Sequence, residues 1–435
     1  MASVRKRGNT YQITVSNGYD CAGKKIIETT TYRMDMSLTP KKQEKALDVF
    51  VMEFEQKVKS GKYYDGEKIT FKDFSEKWWE DYAKQKLELT TQEVYEDRLK
   101  RHILPAIGHL KMAKITPMTL QTFYNKLFKD GSRSDGKPGG LSLGSVQKIN
   151  TVISSVLSTA VRWGVIDSNP CRKVTVSQPA QDKVVDNKVK HFNAEQAERF
   201  LQALEMSYTS VYKAHGRIDD TGRKYNVKDY MQSHQMSMSL KVFFQMALFG
   251  GFRRGELIAL TWDDIDFSKN TIHVPTSSAM VKGKMITKKP KTKDSERDVV
   301  LPLPVMESLK KWRAQQNMLI IKMGEIWNRD GNFVFTRWDG RQMNPSTPTH
   351  AFKSVVRKYN LTVDDEHKLP DINLHCLRHT TATLLISKKT DISTVSALLG
   401  HKRKSTTMDI YTHALKESNS VASDTLEDLL LKKSM

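Results

Sequence analysis

Two periods of apolar spacing run along the chain, and the switch between them divides it. Tyr11, Ile13 and Val15 alternate with Gln12 and Thr14, which predicts a half-buried strand. Asn17-Gly18 predicts a loop, and the β-branched run Lys25–Arg33, KIIETTTYR, predicts a second strand. Thr39-Pro40 reads as the cap and first turn of a helix whose apolar positions are Ala46, Val49, Phe50 and Phe54. Beyond a polar stretch, Ser60–Lys68, the period becomes helical. Phe74, Trp78 and Tyr82 share one face, and Thr90 and Glu93 have capping-box spacing ahead of Tyr95 and Leu99. Thr116-Pro117 opens a helix carrying Leu120, Phe123, Tyr124 and Leu127. Ser142 precedes another with Val146, Ile149, Ile153, Val156, Leu157 and Ala160, which Gly164 can end. Four short helices so spaced predict a bundle whose aromatic stripes are its core.

The stretch Arg172–Lys190, RKVTVSQPAQDKVVDNKVK, has almost no amphipathic period and reads as an extended linker. Fully extended it would reach at most about 60 Å, enough to follow one side of a duplex. The predicted modules are therefore residues 1–62, 69–173, a linker over 174–190, and 191–435. Within the last, Ser207–Ser239 is polar and rich in Tyr, Lys and Asp, and reads as an insertion between two helices with no assignable role.

Charge narrows the partners. The 435 residues carry 70 Lys and Arg against 49 Asp and Glu, a formal charge of +21, which favours a polyanion. With 38% hydrophobic residues the chain is no disordered polycation. Its apolar runs are too short and interrupted to span a bilayer, and MASVRKRGNT has no apolar core behind it to make a secretory leader. The 3 cysteines, Cys21, Cys171 and Cys376, are far apart and fit a reducing cytoplasm.

Nucleotide-driven chemistry lacks its glycine-rich motifs. Asp263, Asp264 and Asp266 read as solvated turn carboxylates. His375 and His379 have a zinc-like i, i+4 spacing, but without the H-E-x-x-H glutamate and with Arg378 beside them, so no metal site is expected. What remains is a series of cations. In ALFGGFRRGELIALTWDDIDF, Gly250-Gly251 precede a helix with Arg253 and Glu256 on one face and Leu257 and Leu260 toward the core. An arginine at a glycine-flanked helix start can meet an anion, although a plain Arg–Glu ion pair has the same spacing. KKPKTKDSERDVVLP (Lys288–Pro302) resembles a lysine-rich hairpin tip leading into an apolar strand, Val299–Leu301. LHCLRHTTATLLI places His375 and Arg378 on one helical face, and LLGHKRKSTTMDIYTHAL places His401 after a helix-ending Gly400, with Tyr411 following.

Arg-x-x-Glu, a hairpin Lys, His-x-x-Arg-His, Gly-His and Tyr, in that order, resemble the tyrosine recombinases, above all integrases of temperate phages and conjugative transposons of Gram-positive bacteria. The resemblance covers essentially the whole chain and implies a multidomain α+β protein. Its parts would be a β-rich arm-binding module, a helical core-binding bundle, and a mainly helical catalytic domain with a small antiparallel sheet. It makes Arg253 and Arg378 the phosphate-clamping arginines, Lys291 the hairpin lysine, His375 and His401 the two histidines, Tyr411 the nucleophile and Glu256 a supporting carboxylate. Arg254 competes with Arg253, and Lys288, Lys289 and Lys293 compete with Lys291. Gly250 stands where many relatives have Thr.

The implied function is site-specific cutting and rejoining of DNA through a 3′-phosphotyrosine, to integrate and excise a mobile element without metal or other cofactor. The partners implied are double-stranded DNA with arm-type and core-type sites, three further copies of the chain in a tetramer, and accessory excision-directing and DNA-bending proteins, in the bacterial cytoplasm at the nucleoid. Arg5, Lys6, Arg7, Lys24, Lys25 and Arg33 are the candidate DNA contacts of the N-terminal sheet. The tail from Ser418, with Val421, Leu426, Leu429, Leu430 and Leu431, reads as an amphipathic helix. The alternatives are a type IB topoisomerase-like nicking and closing enzyme, which uses a similar constellation, and a catalytically silent DNA-binding regulator.

Overall fold

The computed structural model describes residues 2–19, 23–59, 66–177, 191–212, 215–218, 223–227, 229–289 and 296–400. Helices and small antiparallel sheets are mixed in two compact units, Met1–Val185 and Asp186–Met435.

The first unit opens with a three-stranded antiparallel sheet, β1 (Ser3–Arg7), β2 (Thr10–Tyr19) and β3 (Lys25–Arg33), in that order. β3 has the bounds its β-branched run predicted, whereas β1 is a strand the pattern did not signal. Asn17-Gly18 is not a loop: β2 runs through it on an irregular register between Ser16 and Tyr19, with Gly18 at φ +81°. Helix α1 (Pro40–Lys59) starts at the predicted proline and packs Leu47, Phe50, Val51, Phe54 and Val58 around Ile13 and Val15. Val49, expected inside, is exposed, because the buried stripe runs one step to either side of it.

The bundle follows. Helices α2 (Phe71–Trp78), α3 (Leu89–Arg98), α4 (Pro117–Leu127) and α5 (Leu143–Arg162) surround Trp78, Tyr124, Phe71 and Ile103. α2 and α3 each continue as a π-helical turn, Trp79–Ala83 and Leu99–Ile103. Thr116 and Ser142, which precede helices where predicted, cap α4 and α5 by accepting from the backbone N–H groups of Thr119 and Ser145. The predicted Thr90–Glu93 capping box does not form; α3 begins after Glu88 without a side-chain cap. The Trp78 indole donates to Thr159 Oγ1 at 3.1 Å, satisfying its one polar group inside the core. Asn169, also buried, ties the turn Pro170–Lys173 to α5. The linker assigned to 174–190 lies outside the described residues from 178 onward.

In the second unit, α6 (Ala194–Glu205) begins with a capping box between Asn193 and Gln196. The insertion expected between two helices follows α6 and carries paired strands. β4 (Ser207–Tyr212) pairs antiparallel with β7 (Tyr230–Gln235), and β5 (His215–Ile218) with β6 (Lys224–Val227). Helix α7 (Met238–Gly250) and the short α8 (Arg254–Ala259) follow, then β8 (Ile265–Asp266), β9 (Thr271–Val274), β10 (Ser277–Val281), β11 (Lys284–Lys288) and β12 (Arg297–Val300). β12 and β8 flank β9 in one sheet, while β10 and β11 form a separate hairpin. Lys288 and Arg297 thus sit on strands that pair with other partners, and residues 290–295 between them, where the hairpin tip is predicted, lie outside the described residues. Helices α9 (Leu303–Met323), α10 (Ser346–Asn360), α11 (Cys376–Ser387) and α12 (Ile392–Leu399) complete the described part. Its core is aromatic: Phe200 lies 5.2 Å from Phe352 and Phe243 5.0 Å from Phe335, centroid to centroid.

Candidate active site

Two left-handed glycines bring distant helix ends together. Gly251, at φ +61°, terminates α7, and Gly400, at φ +63°, terminates α12. A Cβ on Gly251 would come within 2.6 Å of Leu399 Cδ2, so only glycine allows the close approach. The carbonyls at these helix ends point into a cluster of guanidinium groups, as the negative end of a helix favours.

Arg253 is the N-cap of α8. Its backbone N–H donates to Glu256 Oε2 at 2.8 Å, its Nη1 to Glu256 Oε1 at 2.7 Å, and its Nη2 to the Gly400 carbonyl at 3.1 Å. Its neighbour Arg254 instead reaches Thr349 Oγ1 at 3.0 Å. Arg378, on α11, has only 2% of its surface exposed; Nη1 donates to the Gly251 carbonyl at 2.7 Å and Nη2 to the Leu399 carbonyl. Sequence reasoning assigned no role to Arg297, yet it completes the cluster. Its Nη1 and Nη2 embrace the Glu256 carboxylate at 3.2 and 2.9 Å, and its Nε donates to the Leu398 carbonyl at 2.6 Å. A signal was present: Arg297 has the same strand parity as the core residue Val299, whereas Asp298 and Val300 face out.

The electrostatics follow from these contacts. Burial pushes the Glu256 carboxyl up, but the hydrogen bonds and charge of Arg297, with help from Arg253, outweigh it and hold the group below the usual carboxylate range. Glu256 is therefore ionised. Against its one negative charge stand Arg253, Arg297 and Arg378, a local surplus of positive charge suited to a phosphate. His375 precedes α11 with an accessible ring, and crowding by surrounding protein atoms, then the charges of Arg378 and Arg253, push its pKa below 6.5 against the pull of Glu256. Burial and the charges around it bring His379, whose ring meets His375 edge-on at 5.0 Å, down to about 4. Both rings are thus neutral near pH 7, able to accept a proton. Among the described residues no group of three or more His, Cys, Asp or Glu could hold a metal, and no helix is long and apolar enough to cross a membrane.

Of the residues singled out in the sequence, Arg253, Glu256, His375 and Arg378 come together here. Lys291, His401 and Tyr411 lie outside the described residues, as do Lys293 and the tail from Ser418. Asp263 and Asp264 fall in a helical turn and Asp266 ends β8, with Asp264 accepting from Thr261. In the N-terminal sheet, Arg5, Arg7, Arg33 and Lys25 are exposed. Arg7, Thr10 and Arg33 form one cross-strand row, and Arg5, Gln12 and Thr31 the next. These rows lie on the face away from Ile13 and Val15. Lys6 pairs with Tyr11 on the opposite, helix-side face, its Nζ 5.8 Å from the ring centroid, and Lys24 precedes β3.

Comparison with known proteins identifies the relatives of the chain as integrases and recombinases. Residues 221–418 match the Phage integrase family, and residues 70–128 match the Phage integrase, N-terminal SAM-like domain. The chain is 26% identical over 442 residues to the "Tyrosine recombinase XerC-like" protein of Caldanaerobacter subterraneus subsp. tengcongensis, spanning 98% of each. It is 27% identical to the "ICEBs1 integrase" of Bacillus subtilis, over 76% of each chain. In fold it resembles the Tn1549 transposon integrase, solved in complex with a circular intermediate DNA, at a TM-score of 0.61 and 19% identity over 82% of this chain and 99% of that one. The clustered arginines, the ordered motifs and these matches together place the chain in the phage integrase family of tyrosine recombinases.

Proposed function

We propose that this site-specific recombinase cleaves DNA with Tyr411 as nucleophile, while Arg253 and Arg378 hold the scissile phosphate. The observation that carries the reading is the convergence of those two arginines and His375 at the helix ends from which the chain passes to His401 and Tyr411. The Tyr411 oxygen attacks phosphorus, the bond to the 5′-oxygen breaks, and a 3′-phosphotyrosine and a free 5′-hydroxyl result. Tyrosine has an ordinary pKa of about 10 and must lose its proton during attack; neutral His375 accepts it. Lys291 supplies the proton to the leaving 5′-oxygen. The guanidinium groups, charged at any working pH, stabilise the negative charge gathering on the non-bridging oxygens, with His401 as a further donor. The phosphotyrosine retains the energy of the phosphodiester, so a 5′-hydroxyl from another strand reseals it by the reverse steps.

The modules take roles in the same reading. Residues 1–62 bind arm-type DNA through the outer face carrying Arg5, Arg7 and Arg33, with Lys24 and Lys25 at its margin and Lys6 on the other face of the edge strand β1. Residues 69–173 and 191–435 hold the core site from either end of the linker over 174–190, and linking two weak sites raises the effective concentration of each. Exchange between two duplexes cuts four strands and so calls for four copies of the chain. The reading is tested by mixing the protein with a supercoiled plasmid and a linear duplex, each carrying the junction sequence of the mobile element that encodes it. Recombinant product is expected. Relaxation of plasmids regardless of sequence, without recombinants, would instead indicate a nicking and closing enzyme.

A further inference from the structure

Arg297 differs in placement from the two arginines assigned to the phosphate. Its side chain is 6% exposed, and its bidentate edge is turned onto Glu256, itself 6% exposed. The same guanidinium sits beside the Phe252 ring and against Gly400, where a Cβ would approach its Nη1 to 3.0 Å. Glu256 accepts from Arg297 and from both the backbone and side chain of Arg253, so one buried carboxylate joins β12, the start of α8 and the end of α12.

We propose that Arg297 is a positioning residue for strand cleavage: it balances the Glu256 carboxylate, leaving Arg253 net positive and aimed at the scissile phosphate, and it anchors the Leu398 carbonyl where the chain turns toward His401. This rests on Arg253 and Arg378 being the phosphate clamp. Without Arg297, the Glu256 charge falls on Arg253, and the two become a neutral pair with little attraction left for a phosphate. The Leu398 carbonyl also loses its 2.6 Å donor, freeing the turn that ends in Gly400.

The test compares single-turnover strand cleavage by the full chain on two nicked duplexes bearing the element's junction sequence. One has an ordinary phosphodiester at the cleaved position and the other a methylphosphonate, which lacks the negative non-bridging oxygen. Arg297→Gln should cleave the diester about a hundredfold more slowly than wild type, the scale of losing one preorganised donor to the developing negative charge, and the gap should close on the neutral substrate. Arg297→Lys, which keeps a cation beside Glu256, should recover most of the loss. If Arg297→Gln fails to melt cooperatively, Arg297→Lys carries the same comparison, with a smaller slowing confined to the diester. Equal slowing on both substrates, or none on either, overturns the proposal. Arg253→Gln run in parallel separates the two layers: normal diester cleavage by it would sink the clamp itself. Selective loss in Arg253→Gln but not in the Arg297 variants would sink the positioning role alone.

Discussion

Replacing Arg378 by lysine keeps the charge and removes the fork. In the native site the guanidinium, 2% exposed, spans the carbonyls of Gly251 and Leu399, the ends of α7 and α12, one on each Nη. A lysine ammonium is a point donor on a shorter, flexible side chain and cannot hold both carbonyls in that geometry. At least one charge-assisted hydrogen bond is lost, about 1.5–3 kcal/mol each, so the unfolding free energy of the catalytic unit should fall by about 2 kcal/mol. The transition state suffers more, because both the donor pair for the phosphate and the helix ends that frame it are displaced. Loss of one preorganised donor to a developing oxyanion costs roughly 10²–10³ in rate. Single-turnover cleavage of a nicked junction duplex, with urea unfolding followed in parallel, measures both. A folded Arg378→Lys protein that cleaves within about threefold of wild type would refute the clamp assignment.

Because its surroundings depress the His375 pKa below 6.5, the neutral base persists as pH falls, and the cleavage rate should decline with a midpoint below pH 6.5; a midpoint clearly above that value would contradict His375 as acceptor. Asn169 donates to Ser154 and Ser158 and accepts from the Cys171 N–H, so Asn169→Ala should lower bundle stability by about 2 kcal/mol in urea titration. A change below about 0.5 kcal/mol would mean that water replaces those bonds. Changing Arg5, Arg7 and Arg33 together to Gln should reduce the salt dependence of arm-site binding by about 0.9 in log–log slope per lost phosphate contact, read by binding titrations at several salt concentrations; an unaltered slope would place the contacts elsewhere.

Local chemistry was legible in the sequence and non-local chemistry was not. The β-branched run over Lys25–Arg33, the helix starts after Thr116 and Ser142, and the Arg253–Glu256 spacing are each decided by neighbours within a few residues, and the structure carries them as read. Val49 was misplaced because α1 is apolar on more than one side, and only contact with Ile13 and Val15 selects the stripe. The ribbon over 207–235 escaped notice because Tyr, Ser, Thr and Gln recur on both faces of its strands and blur the period of two. At the site, the motifs nominated Arg253 and Arg378, but what braces them is backbone carbonyl from helix ends remote in sequence. No residue type announces that a carbonyl will be an acceptor. Arg297 lay in a lysine-rich string where solvation is the default for a cation, and its parity with Val299 was the one clue to burial.

Covalent capture by Tyr411 is the central claim, and trapping tests it most directly. Wild type and Tyr411→Phe would each be incubated with a nicked duplex carrying the element's junction, where loss of the short 5′ fragment prevents resealing, and resolved on a denaturing gel with binding confirmed alongside. A protein–DNA adduct with wild type alone is the predicted result. Equal adducts from both proteins, or binding without any adduct, would contradict Tyr411 as the nucleophile.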